Sequence, residues 1–392
     1  MKSILWLPLA LATTGTLLAG SDTVTNTDSS KTLEQVVAPP DQSIFDRLWA
    51  LPQLYRNDAN PFIQEFDLIG RFEMDYFNVD SNRGDKDFTE IRRLRFGEDA
   101  FLFGRHLEIK TEFDTALDTY GTPTTFYNRF TNMYVKYHAN DAFNITVGKT
   151  EAHFGYDREV SDVLQPFFER SFFDDQLIGS NDYITGALIS GQFNHFGYLT
   201  GIYSDSVDKT FGNFNGGQSY LAELNYDFAP ALNANRALLV VDYLHVDGIN
   251  KNTNVFQNFN NAAAIYFDYK KGRFGWVTQF AYGDGITTHG NLYQIMVMPT
   301  FDITDKLQVE FRYALGLSDA SNGITNGNRQ EKTIGKFTGD TYNAPYLGLN
   351  YFIYGYKLRV MAGVQYGDLN GGTGANAGFN AWTTMVGFRM YF

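Results

Sequence analysis

Across residues 106–114 the side chains alternate in character one by one. Leu107, Ile109, Thr111 and Phe113 fall on one face of an extended chain, and His106, Glu108, Lys110, Glu112 and Asp114 on the other. A helix with 3.6 residues per turn mixes these two sets, so the segment reads as a strand. One face is apolar and the other charged, the reverse of a sandwich with buried charges. The pattern recurs from Phe66, where Phe66, Leu68, Gly70, Phe72, Met74 and Tyr76 oppose Asp67, Arg71, Glu73 and Asp75. It recurs again at the end, where Val386, Phe388, Met390 and Phe392 share one face and Gly387 and Arg389 the other.

The composition suits a sheet with lipid on one side. Aromatics make up 16% of the 392 residues, with 25 Tyr and 35 Phe, which suit girdles at two membrane interfaces. The mean hydropathy is −0.28, and past the N-terminus there is no apolar run of the ~20 residues a spanning helix needs. A barrel spans by alternation alone, so it looks polar on average. Cysteine is absent, which removes disulfides, thiolate nucleophiles and Cys metal sites. The formal net charge of −13 argues against a nucleic acid partner, because phosphate binding wants a basic face.

The N-terminus resembles a secretory signal: Met1-Lys2, the apolar run Ile4 to Leu18, then Ala19-Gly20-Ser21. We expect residues 1–21 to be removed, with cleavage near residue 20 or 21. Residues 22–62 form a polar leader, disordered over 22–40, with a short amphipathic helix within 43–56 that plugs or caps the barrel on its periplasmic side or binds a partner. The barrel domain is 63–392.

Strands are expected near 66–77, 89–102, 106–116, 129–138, 142–149, 183–191, 195–204, 218–228, 237–246, 260–270, 273–282, 291–301, 306–316, 345–354, 356–367 and 380–392. The fold is therefore all-β, a 16-stranded antiparallel transmembrane barrel, and the even count fits a bacterial one. Connections alternate between tight turns such as Gly104-Arg105 or Lys271-Gly272 and the longer stretches 78–88, 117–128, 150–182, 205–217, 247–259, 283–290, 317–344 and 368–379. A barrel of this size encloses water rather than a packed core. The stretch 150–182 carries Val163, Leu164, Phe167, Phe168, Phe172, Phe173 and Leu177, more apolar content than an exterior loop needs, so it should fold inward and narrow the lumen.

Four motifs occur in order: Arg92-Arg93-Leu94-Arg95, then Asn132-Met133-Tyr134-Val135-Lys136-Tyr137, then Val147-Gly148-Lys149 with Phe154-Gly155, then Glu169-Arg170-Ser171. Their order and spacing resemble the phosphate-selective porin O/P family over about 89–190, and the terminal Phe392 resembles the signature that outer-membrane insertion machinery reads. The resemblance implies a trimeric porin with an inward third loop, set among outer-membrane lipid and lipopolysaccharide and passing small hydrophilic solutes or ions. It assigns Phe388, Met390 and Phe392 to the insertion signal.

In such a porin, anion preference arises from arginines along the lumen wall and lysines at the constriction. By parity with outward Leu94 and Phe96, Arg93 and Arg95 face the lumen, and Arg71, Lys110, Lys136, Arg312, Lys357, Arg359 and Arg389 fall on lumen positions too. The loop departs from the family. Around Lys149, Arg158 and Arg170 stand Glu151, Asp157, Glu159, Asp162, Glu169, Asp174, Asp175 and Asp182, and the stretch 247–259 adds only Lys251. An acidic ring repels phosphate, so the resemblance carries the fold but not the selectivity. Arg93 and Arg95 either meet solute or pair across strands with Glu73, Asp75 or Glu112. Likewise Glu169 and Arg170 either meet solute or pin the loop.

An enzyme is disfavoured. The six histidines show no HExxH spacing and no G-x-S-x-G elbow exists, so no cofactor or metal is expected. A second reading is a structural or adhesive barrel that binds external partners through the loops 205–217, 317–344 and 368–379.

Overall fold

A computed structural model describes residues 43–392 apart from 119–125, 178–182, 207, 249–255, 257–258 and 287–288. The signal segment, the leader up to residue 42, Asp182 and Lys251 lie outside the described residues. Among the described residues seventeen strands form one sheet, of which sixteen build the wall and one is a short N-terminal strand, Gln53–Arg56. We number the wall strands β1 (Ile63–Ser81), β2 (Gly84–Leu102), β3 (Leu107–Thr115), β4 (Tyr127–Asn140), β5 (Phe143–Glu151), β6 (Tyr183–Phe193), β7 (Phe196–Ser204) and β8 (Gly217–Asp227). They continue as β9 (Arg236–Gly248), β10 (Phe259–Lys271), β11 (Phe274–Gly285), β12 (Leu292–Asp302), β13 (Leu307–Ser318), β14 (Thr341–Tyr354), β15 (Leu358–Asn370) and β16 (Phe379–Tyr391).

Each strand pairs antiparallel with the next, and β16 returns to β1 with Ala381 opposite Ser81 and Tyr391 opposite Arg71. The barrel is closed, as the even count required. Closure satisfies every strand edge, which is why a polar backbone can cross lipid at all. Phe392 continues the seam by exchanging backbone hydrogen bonds with Gly70, both at 3.0 Å. Gly70 is needed there, since a Cβ at that position would lie 2.4 Å from the Phe392 ring.

Below Phe392 the edge of β1 is taken over by Gln53–Arg56, with Gln53 opposite Asp67 and Arg56 opposite Glu65. Before it comes the helix α1 (Ile44–Ala50), started by a capping box in which Ser43 and Asp46 satisfy each other's backbone N–H groups. Trp49 Nε1 donates to the Tyr391 carbonyl at 2.6 Å, and Phe45 stacks on Tyr354 at 5.6 Å. The expected helix therefore sits on the short-turn rim at the seam.

The outer face follows the alternation, with Leu68, Met74, Tyr76, Leu224, Tyr243, Ile295, Leu347 and Val386 all exposed. Two expectations change. The stretch 78–88 is not a loop, because β1 and β2 run on to a tight turn at Asn82 and Arg83. These 19-residue strands reach about 60 Å against a hydrocarbon core of ~30 Å, so their hairpin projects beyond it. The inner face is also not uniformly polar. From β6 to β12 it carries Leu188, Leu199, Leu221, Val240, Leu244, Tyr266, Val277 and Met296, all buried.

Candidate functional site in the lumen

The site is the contact between the third long loop and the inner wall. On the apolar side Phe154, Tyr156, Val160, Phe167, Phe172 and Phe173 of the loop join those wall residues in one buried cluster. Phe172 lies on Gly316, where a Cβ would come within 1.9 Å of the ring, and packs against Tyr342 at 5.2 Å.

On the other side the wall is charged. Arg71 reaches Asp162 of the loop at 3.3 Å, and Arg93 binds both Glu73 at 2.7 Å and Asp162 at 3.1 Å. Arg95 pairs with Asp114 and Glu112 and donates to the Tyr183 hydroxyl at 2.6 Å. Arg389 pairs with Asp75 across the seam and reaches Glu73 at 3.4 Å. Arg312 and Arg359 hold the loop by its backbone, donating to the carbonyls of Glu169 at 2.8 Å and Gln165 at 2.6 Å. Lys110 stands 3.4 Å from Asp99, and Lys136 is buried on the inner face in register with Glu108. Beside them lies a polar cavity lined by Arg71, Lys110, Glu112, Asn132, Tyr134 and Ser161.

Within the loop, Arg158 chelates Asp174, donating from Nη2 at 2.7 Å, and Arg170 pairs with Glu151 and with Asp162 at 2.5 Å. Burial alone would raise the Asp162 carboxyl, but Arg170, Arg93 and Arg71 around it hold it well below the usual carboxylate range. Glu169 behaves alike: against the same burial, Arg92 and Arg329 hold it down to about 2. Asp175 pairs with Lys332, a residue of another loop.

Two residues expected at the site lie elsewhere. Lys149 is in register with Met133 and Thr185 on the outer face, where its Nζ donates to the Asp208 carbonyl at 2.6 Å and where Lys209 and Gly212 also bond to the wall at Phe130 and Thr185. Alternation from the exposed Val147 already places it outward. Lys357 lies in the tight turn between β14 and β15, because β15 begins at Leu358, one residue later than that placement needs. Its carbonyl accepts from Tyr391 N at 3.0 Å.

Arg92 was missed. The register steps from Glu73 opposite Arg93 to Met74 opposite Ile91, so Arg92 is the extra residue of a bulge. Its guanidinium binds Glu169 at 2.9 and 3.0 Å. The signal was present in the sequence: strict alternation would leave Arg92 facing lipid, which costs about 2–4 kcal/mol at the bilayer midplane. A bulge avoids that cost. Glu90, Arg129, Arg329 and Lys332 also join the charged side, pairing with Arg329, Asp114, Glu90 and Asp175 respectively.

The family model for phosphate-selective porin O and P matches residues 66–268. No curated protein matches the chain. Among solved structures it is similar to Salmonella typhi OmpF in complex with daunomycin, at 13% identity and a TM-score of 0.59, covering 87% of this chain and all of that one. It is also similar to Pseudomonas putida OprB, at 13% identity and 0.58, covering 83% and 94%. The anion-selective porin from Comamonas acidovorans matches at 12% identity and 0.56, covering 83% and 99%. At these identities the likeness is one of fold.

Proposed function

Because this chain belongs to the phosphate-selective porin O and P family and is a bacterial outer-membrane diffusion channel, we propose that solute passes between the third loop and the charged half of the wall. The observation that carries this path is the ladder Arg71, Arg93, Arg95 and Arg389, which faces the acidic loop beside the polar cavity. The apolar half offers no comparable path, since loop side chains fill it.

Each wall cation is met by a carboxylate or a carbonyl, so the ladder is neutralised in place. We therefore assign small hydrophilic ions as solutes, with weak selectivity instead of a phosphate preference. Reconstitution in planar bilayers should give stepwise conductance, and a folded but silent protein would overturn this reading. Reversal potential across a salt gradient should stay near zero, and a large anion-side value would restore phosphate preference. The assembly is proposed as a homotrimer in contact with outer-membrane lipid and lipopolysaccharide. A single-subunit mass in mild detergent would refute the trimer. The adhesive reading loses support where it relied on 317–344, whose tip is buried inside the barrel.

A further inference from the structure

The stretch between β13 and β14 has little apolar content, and from its sequence it reads as an outward loop. It turns inward instead. Ile324–Thr325 pairs with Thr338–Gly339 in a small two-stranded sheet, and the segment between them descends into the lumen until Asn326, Gln330 and Glu331 are each 0% exposed. Gly327 allows the close approach, since a Cβ there would sit 2.3 Å from the Tyr342 hydroxyl.

Its tip meets the third loop directly. Gln330 Nε2 donates to Glu169 at 3.2 Å, Thr325 N donates to Gln176 Oε1 at 3.0 Å, and Lys332 pairs with Asp175. Arg329 holds Glu90 on the wall with one nitrogen at 2.8 Å, and stands 3.9 Å from Glu169. The segment thus bridges from the wall at β2 to the acidic edge of the third loop. It also supplies Arg329 and Lys332 as countercharges to that edge.

We infer that residues 322–337 are a second constriction element, which sets the narrowest cross-section together with the third loop and determines ion selectivity through Arg329 and Lys332. This rests on the channel reading above. A solute passing the acidic edge must pass these two cations as well. Removing them leaves Glu90, Glu169 and Asp175 without those partners and turns the constriction toward cations.

The test is single-channel recording of the full chain in planar bilayers, with three variants. Deleting 322–337 and closing the gap with two glycines should raise unit conductance severalfold. The double variant R329E/K332E keeps the segment and should move the reversal potential toward cations. It carries the test if the deletion fails to insert. The chain has no cysteine of its own, so Q176C/T325C can be cross-linked, and oxidation should hold conductance at the wild-type level until reductant is added. A deletion that conducts like wild type, or an R329E/K332E channel with unchanged reversal potential, overturns the inference. If wild type and deletion are both silent, the channel reading itself falls. A silent wild type beside a conducting deletion also overturns the inference, because the segment would then be a plug and not a constriction that solute passes.

Discussion

The two halves of the lumen wall hold the same loop by different physics. From β6 to β12 the contact is mainly apolar, with Asp242, Gln279 and Gln294 adding hydrogen bonds to Gly155 N, Tyr156 N and Ser171 Oγ. From β13 round through the seam to β5 it is mainly ionic, with Phe172 and Phe167 packed on Tyr342 and Tyr346. Apolar burial stabilises by about 25 cal/mol per Å² and is indifferent to orientation. A buried ion pair gains little net free energy after desolvation but tolerates few geometries. The apolar half therefore anchors the loop, and the charged half fixes where its edge stands. That division leaves the polar edge beside the cavity, where a hydrophilic solute can follow it.

If the anchor is apolar, Phe172→Ala combined with Phe173→Ala should have the largest effect, at about 3–5 kcal/mol of loop docking for each ring. Higher unit conductance and new protease cuts near Arg158 and Arg170 would report the release. Unchanged conductance would mean that the ion pairs hold the loop unaided. On the charged half, Arg95→Met leaves Glu112 and Asp114 short of a partner. The expected loss is about 3 kcal/mol, the low end for a broken buried pair, because Arg129 remains 3.1 Å from Asp114. The melting point of the folded band in heat-modified electrophoresis would show it. Arg93→Glu is the sharper test of function. It sets a third carboxylate beside Glu73 and Asp162 and should move the reversal potential toward cations. An unmoved potential would make Arg93 a purely structural strut.

The two halves were also unequally legible in the sequence. Alternation located the wall, because an inner charge and an outer apolar residue recur wherever lipid lies on one side and polar contacts on the other. It did so best in β1 to β5, where the inner face is ionic. In β6 to β12 the inner Leu, Val and Met residues look like the outer ones, so their role as a seat for the third loop was hidden until the loop was seen on them. The burial of the third loop was readable from its phenylalanines, which pack in one cluster with wall residues. That of 322–337 was not, because it is docked by Arg329, Gln330, Lys332 and Glu331, which look like solvated loop residues in sequence. Lys149 shows the converse error. A motif placed it in the constriction although its parity with Val147 placed it outside, and the residues around Asp208 and Gly212 explain how an outward lysine can be buried.

The smallest expected effect tests whether ionic docking responds to pH where apolar docking does not. Burial pushes the Glu331 carboxyl up to about 7, although donors from Tyr342, Gly327 N, Gln365 and Asn328 work against the shift. When the segment undocks, the carboxyl returns to its ordinary value of 4.5. The docked form binds the extra proton between those two values, so docking is strongest below about 4.5 and weakens as pH rises through about 7. Lys332 acts in the other direction and elsewhere. Burial, followed by repulsion from Lys336, pushes it down to about 8, so its contribution changes only between there and its ordinary 10.5. The window from about pH 5 to about pH 8 therefore belongs mainly to Glu331, and unit conductance should rise across it. Glu331→Gln keeps the hydrogen-bonding shape without the titration and should flatten the rise. A rise that survives in Glu331→Gln would assign the pH response to some group outside this segment.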